Sequence, residues 1–262
     1  MPGHVTGLDV HPVKGLSAQS LDEVVLTAGH GFPHDRVLAL ARPEGGYAPG
    51  LRTPLPKDRF YMLAVDERLA GLRTRLDTGT GVLRVWVRGH EVLAADLNDP
   101  EGVADATAFF ARVLDLPEGT RPVLAHEEGR RFTDVSVSSD AMMNAVSLIN
   151  LASVRDLGER VGAEVDPRRF RANLYVDGLA PFAERDLVGR EFTVGGVRLR
   201  GVLRTKRCAA TEVDPVRARR DLSVPRLVMA EYGNSEMGVY AEVVAGGTVR
   251  PGDAVTILEE SR

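Results

Sequence analysis

Short apolar runs bounded by glycine, proline or charge dominate the first part of the chain. "DEVVLTA" (22–28), "RVLALAR" (36–42) and "FYMLAVD" (60–66) each read as a β-strand. "VLRVWVR" (82–88) sets Val85 and Val87 around Trp86, with Arg84 and Arg88 as its polar positions. "EVLAADL" (91–97) is expected to pair with it across a Gly89-His90 turn. The period then changes. Val103, Ala106, Thr107, Phe110, Val113 and Leu114 recur at helical spacing, after Asp99 as N-cap and Pro100 in the first helical position. Leu116-Pro117 ends that helix. A polar stretch rich in Ser and Asp (127–144) follows, and a second helix is expected over 150–162, with Leu151, Val154, Leu157 and Val161 inward. The chain then returns to β structure: 171–177, a hairpin over 191–204 turning at Gly195-Gly196, and final strands over 238–244 and 253–258.

The strands are not regularly interleaved with helices, which argues against a doubly wound sheet. The expected class is α+β and strand-dominated. The join between two regions falls near the start of the polar stretch, giving 1–128 and 129–262.

Composition narrows the function. The 262 residues are 44% hydrophobic and carry a net charge of −4 with both signs interspersed. This suits a folded chain with a sizeable core and offers no basic stripe for nucleic acid. No apolar run approaches the roughly 18 residues of a membrane span. The N-terminal "MPGHVTGLDVHPVKGL" lacks the apolar centre of a secretion signal. The single cysteine excludes an internal disulfide, a Cys₄ zinc site and an iron–sulfur cluster, and a cytoplasmic location is the natural inference. There is no GxxxxGK[ST] loop, no GxGxxG after a strand, no HExxH and no GxSxG.

That cysteine, Cys208, sits in "RTKRCAATEVDP" (204–215). A lone cysteine is more often a small buried hydrophobe than a functional group. Lys206 and Arg207 alter the balance, because adjacent cations favour the thiolate, the form that attacks electrophiles and ligates soft metals. Three chemistries use such a thiolate. It can be a nucleophile with a base, although no histidine follows His126. It can carry sulfur as a persulfide. It can supply one ligand to a metal whose other ligands come from a cofactor, which fits a single cysteine best. Lys14, Arg36, and Arg171 with Asn173 are scattered candidates for anchoring an anionic cofactor, each of which taken alone reads as a solvated surface residue.

Four segments in order resemble the MOSC family. "HPVKGLSAQSLDEVVLTAGHGFPHDRVLAL" has the form of its opening, "RFRANLYVDGLAPFAE" is similar to its Arg-Phe-Arg-Pro-Asn segment, "KRCAATEVDP" matches its cysteine signature, and "GVYAEVVAGGTVRPGDAV" its closing stretch. The likeness is greatest to two-part members, the amidoxime-reducing type and its bacterial relatives. It implies a β-barrel-like MOSC domain packed with an N-terminal mixed α/β MOSC-associated region. It also implies molybdenum cofactor (molybdopterin), with Cys208 as the metal ligand. Lys14, Gly15, Arg36, Arg171, Asn173, Lys206, Arg207 and Tyr240 would hold the pterin and its phosphate, and Asp214 would act near the metal as a proton donor or supporting group. The implied activity is reduction of N-hydroxylated small molecules such as amidoximes, hydroxylamines or N-hydroxylated bases. Electrons are expected from a separate flavin or iron–sulfur protein. The alternative is a sulfur carrier using Cys208 as a persulfide. The chain departs from the family pattern at His11 (usually Tyr), Gly15 (usually Ser), Ala172 (usually Pro), Lys206 (often Ser) and Met143-Asn144 (often Thr-Ser). It also has Val37-Leu38 where an aromatic residue often follows Asp-Arg. These departures bear on the substrate more than on the cofactor.

Overall fold

A computed structural model describes residues 3–258. Seven strands close into a barrel. In chain order they are β1 (Gly3–Val10), β2 (Val146–Asn150), β3 (Leu174–Asp177), β4 (Glu191–Val194), β5 (Val197–Lys206), β6 (Glu236–Ala245) and β7 (Ala254–Ile257). Around the barrel they run β3-β2-β6-β5-β4-β7-β1, and β1 pairs back onto β3. Only the β2–β3 pair is parallel. Closure removes the sheet edges.

The barrel interior follows from alternation along the strands. Val5, Leu148, Leu174, Phe192, Val194, Val197, Leu199, Val239 and Ala241 point inward and form one buried cluster. Strand β2 is buried along its whole length, because its outer face is also covered. That cover comes from helices α2 (Leu151–Val161) and α3 (Val224–Tyr232), whose Val154, Leu157, Val224 and Val228 pack with Ile149 and Tyr175. Asn150 caps α2 by accepting the Ala152 N–H (3.2 Å), and Gly162 ends it in the left-handed region (φ 64°).

The N-terminal module is a three-stranded meander, Arg73–Leu76, Val82–Val87 and His90–Asp96, with helix α1 (Pro100–Val113) against it and a strand pair Leu38–Ala41/Val123–His126 beside it. Leu83, Val85, Phe109 and Phe110 centre its core, and Val213 from beyond β5 joins the same cluster. Val24–Leu26 pairs with Gly247–Val249, a second stitch between the two parts.

The helix over 100–113, the helix over 151–161 and the Gly195-Gly196 hairpin lie where the residue pattern puts them. The strand-dominated class with a barrel is likewise observed. Several details differ. The meander turns at Arg88-Gly89, both at positive φ, with Val87 opposite His90, so the turn sits one residue earlier than Gly89-His90. Asp99 makes no side-chain cap bond. The stretch 60–66 is not a strand. Phe60 bridges to Ala41 and the chain then turns, sinking Tyr61 and Leu63 into the module core. Arg36 and Arg171 precede their strands, Leu38–Ala41 and β3, instead of lying in them.

Candidate active site

Alternation also builds the site. Val239 and Ala241 face the barrel interior, so Tyr240 faces out, and Leu203, Tyr240 and Ser147 form one cross-strand row on the outer wall. Asn173 extends the row, its N–H bonding to the Ser147 carbonyl (2.9 Å). The N-terminal module roofs this wall with Lys14, Gly15, Arg36, Met62 and Leu63. Between wall and roof is a cleft of about 430 Å³.

Nine of the ten site residues expected from sequence line this cleft: Lys14, Gly15, Arg36, Arg171, Asn173, Lys206, Arg207, Cys208 and Tyr240. Asp214 does not. A short 3₁₀ turn, Ala209–Glu212, carries the chain away from Cys208. There the Asp214 carboxylate accepts the N–H groups of Val216 (2.7 Å) and Arg217 (2.8 Å). Burial pushes its pKa up, but these bonds and the Arg169 and Arg217 charges outweigh it and hold the carboxyl below its usual range.

The cations are held firmly. Arg207 donates from Nε to the Met237 carbonyl (2.6 Å) and from Nη1 to that of Phe170 (3.0 Å), with its guanidinium 5.1 Å from the Phe170 ring centre. Arg36 pairs with Asp35 and donates to the Arg171 carbonyl (2.9 Å). Both Arg36 and Arg171 lie in the left-handed region at φ 50°, a conformation that costs a non-glycine residue about 1 kcal/mol or more. Lys14 is buried and donates to the Phe132 carbonyl (3.0 Å) and to Asp134. Burial, then the neighbouring Arg36, lowers the Arg171 pKa to about 10, still charged at neutral pH. Burial raises the Tyr240 phenol, opposed by Arg207 and Arg36.

Asn173 lines the cleft but its amide is spent on the fold. Its Oδ1 accepts from the Ser147 N–H (3.1 Å) and Oγ (2.8 Å), and Nδ2 donates to the Asp9 carbonyl (3.2 Å). It ties β1, β2 and β3 into the cleft floor. Cys208 follows the end of β5, half-buried, with its carbonyl held by the Thr211 N–H (3.0 Å) and Oγ1 (2.9 Å).

Residues that sequence reading missed supply counter-charge and support. Asp134 pairs with Lys14, and burial of its carboxyl is outweighed by Lys14 and its neighbours, giving a pKa of about 2. Arg169, buried, bonds the Glu212 carbonyl (3.1 Å) and Asp221 (2.7 Å), fastening the loop after Cys208. Its signal was available in "DPRRFRAN", two residues before Arg171. The balance of charge is lopsided. Among the described residues, Asp134 and Glu236 are the only carboxylates lining the cleft, and Arg171, Lys206 and Arg207 have no carboxylate partner. Buried Arg171 Nη2, Thr133 Oγ1 and Thr205 Oγ1 lack any hydrogen-bond partner. Unpartnered buried donors beside surplus cations are what an anionic ligand would satisfy.

The MOSC domain family matches residues 133–256, and the MOSC N-terminal beta barrel domain matches residues 2–118. The chain belongs to the MOSC family. Mitochondrial amidoxime-reducing component 1 of Mus musculus is 25% identical across 98% of this chain and 82% of its own length. The Homo sapiens protein of the same name is 24% identical across 98% and 83%. Mitochondrial amidoxime reducing component 2 of Bos taurus is 23% identical across 97% and 82%. No helix among the described residues of this MOSC protein is long and apolar enough to cross a membrane.

His11, where the family usually has Tyr, sits behind the arginines, 1% exposed, its Nδ1 3.6 Å from Asp35 Oδ1. Burial, then the Arg171 charge, drives its pKa to about 3 against the pull of Asp35. The unfolded chain therefore takes up a proton near pH 6.5 that the folded protein refuses until about pH 3. Stability falls as pH falls through that window, with a limiting slope of about 1.4 kcal/mol per pH unit. A His11→Phe variant is expected to flatten a plot of Tm against pH between neutrality and the onset of carboxylate protonation. An unchanged slope would assign the acid loss to another group.

Proposed function

We propose that this protein is a molybdenum-cofactor oxidoreductase that reduces N-hydroxylated small molecules, with electrons from a separate flavin or iron–sulfur protein. The observation that carries the reading is the meeting, in one cleft, of the only thiol with surplus cations and the orphaned Arg171 Nη2. A thiolate suits a soft, redox-active metal, and guanidinium groups suit a phosphate. Among the described residues no three His, Cys, Asp or Glu side chains cluster for a metal, so a metal at Cys208 would draw its remaining ligands from a cofactor. The residues present fit such a group.

Lys14, Arg36 and Arg171 would hold the anionic part, with Asp35 paired to Arg36 and Asp134 to Lys14. Arg207 would fix the cofactor edge nearest Cys208. When bound, the cofactor supplies a two-electron redox couple, and the protein supplies position and field. Tyr240 keeps its phenolic proton at neutral pH and offers a hydrogen bond from the cleft wall. Lys206, exposed at the mouth, offers a positive charge to an arriving substrate. The names of the relatives, amidoxime-reducing components, support the choice of substrate class. Metal and pterin analysis of protein from a cofactor-competent host tests the reading. Equimolar molybdenum and molybdopterin, with turnover of benzamidoxime by a chemical electron donor, are the expected results. Protein without molybdenum from such a host would overturn it.

A further inference from the structure

A second groove, of about 1070 Å³, runs along the seam on the other side of the Gly15 segment. Gly15, Arg169 and Arg171 line both spaces. The rest of the groove wall comes from the meander. Arg73 lies directly opposite Trp86 on the neighbouring strand, and Arg75 is two residues along on the same face. Thr74 and Val85, between them, point into the module. Arg73 and Arg75 are exposed and have no carboxylate partner among the described residues.

The uncharged polar lining is already used. Ser17 Oγ bonds Thr74 (3.0 Å to its Oγ1), and Gln19 exchanges bonds with the Leu76 backbone (2.7 and 3.3 Å). The one lining carboxylate, Asp9, accepts from Ser20 Oγ (2.8 Å). What remains free is cationic or aromatic: Arg73, Arg75 and the half-buried Trp86 ring, with Arg171, already placed on the cofactor side, at the junction of the two spaces. Arg169, more than nine-tenths buried, also lines the groove, with its Nε unpartnered. A ligand for this lining carries negative charge for the arginines and a flat ring for Trp86. With the neutral polar groups occupied, the ring is held by stacking and not read along its edge.

We propose that this groove binds a nucleoside monophosphate moiety, its phosphate on the arginines and its base on Trp86, with little discrimination among bases. The moiety arrives either as a free nucleotide or as the nucleotide part of a larger cofactor whose other end lies in the adjoining cleft. The inference goes beyond the oxidoreductase reading, and its free-nucleotide form stands without it.

Trp86 is the only tryptophan, so intrinsic fluorescence reports this groove. The full chain, made in a host without molybdenum cofactor, is titrated with CMP, GMP and AMP. Saturable changes are expected, with dissociation constants within about tenfold of one another, and about tenfold or more weaker binding of uncharged nucleosides and inorganic phosphate. Arg73→Ala with Arg75→Ala should weaken nucleotide binding by about tenfold or more, with an unchanged circular-dichroism spectrum. In parallel, protein from a cofactor-competent host is acid-treated and its nucleotide measured against molybdenum. Equimolar nucleotide assigns the moiety to the cofactor. Fluorescence changes without released nucleotide assign it to a free ligand. Inorganic phosphate binding as well as the nucleotides do, or neither fluorescence change nor released nucleotide, would overturn the proposal. Molybdenum content in the same samples judges the oxidoreductase reading separately.

Discussion

On the proposed function, Cys208→Ala should bring reductase activity to background, a loss of about 1000-fold or more, equivalent to about 4 kcal/mol of barrier. The same substitution should leave the fold intact. Cys208 is half-buried and its side chain makes no hydrogen bond, whereas the bonds that hold the loop run to its backbone carbonyl from Thr211. Removing one sulfur there costs about 1 kcal/mol or less, and the melting temperature of the cofactor-free protein is expected to stay close to that of the parent. The cationic anchors lie on other elements, so the variant should retain part of its cofactor. X-ray absorption at the molybdenum edge should then show one sulfur neighbour fewer. Unchanged activity with an unchanged sulfur count would remove Cys208 from the metal. Loss of activity with collapse of the melting transition would instead mark it as structural.

The cysteine signature was legible because its members are contiguous. Cys208, Arg207 and Lys206 stay together at the end of β5, so their sequence neighbours are also their spatial neighbours. The same reasoning misleads for Asp214, six residues on. One 3₁₀ turn is enough to carry it out of the cleft, where its oxygens cap the turn that follows. Distant cations such as Lys14, Arg36 and Arg171 stand out as candidates in the sequence, but only family likeness lifts them above solvated surface residues, since nothing local distinguishes a buried anchor from a solvated arginine. Their counter-ions were not found at all. Asp134 sits in a polar stretch that carries no period, and only the fold brings it to Lys14. The barrel hid its strands in a similar way. β2 is buried on both faces and shows no alternation, while Gly3–Val10 is an antiparallel partner of β3, some 170 residues away, and of β7 at the far end of the chain. Long-range closure has no local signature. The misread run at 60–66 is apolar because Tyr61 and Leu63 fill the module core from a turn.

Gly238→Ala tests how tightly the barrel wall sets the cleft. Gly238 lies at φ 80°, and a Cβ there would meet the Leu148 carbonyl oxygen at 2.6 Å and Arg207 Nη2 at 2.7 Å. The carbonyl belongs to β2, hydrogen-bonded on both sides, and cannot withdraw without loosening the barrel. The Gly238 N–H also donates to Glu184 Oε1 (3.3 Å), a fully buried carboxylate held by Ser153 Oγ (2.7 Å). Left-handed backbone costs alanine about 1–2 kcal/mol and overpacking about 1–3 kcal/mol more, so a loss on the order of 3 kcal/mol is expected. For a chain of this size that lowers Tm by roughly 6–12 °C. Gly233→Ala is the control, because Gly233 ends α3 at φ 70° with nothing within 4 Å of the added carbon. It carries the backbone cost alone. The excess loss at Gly238 therefore measures the clash, and because the flexible partner in that clash is Arg207, cofactor retention should fall in Gly238→Ala and not in Gly233→Ala. Equal losses of stability in the two variants would mean that Gly238 serves its backbone conformation only, and that Arg207 has room the geometry denies it.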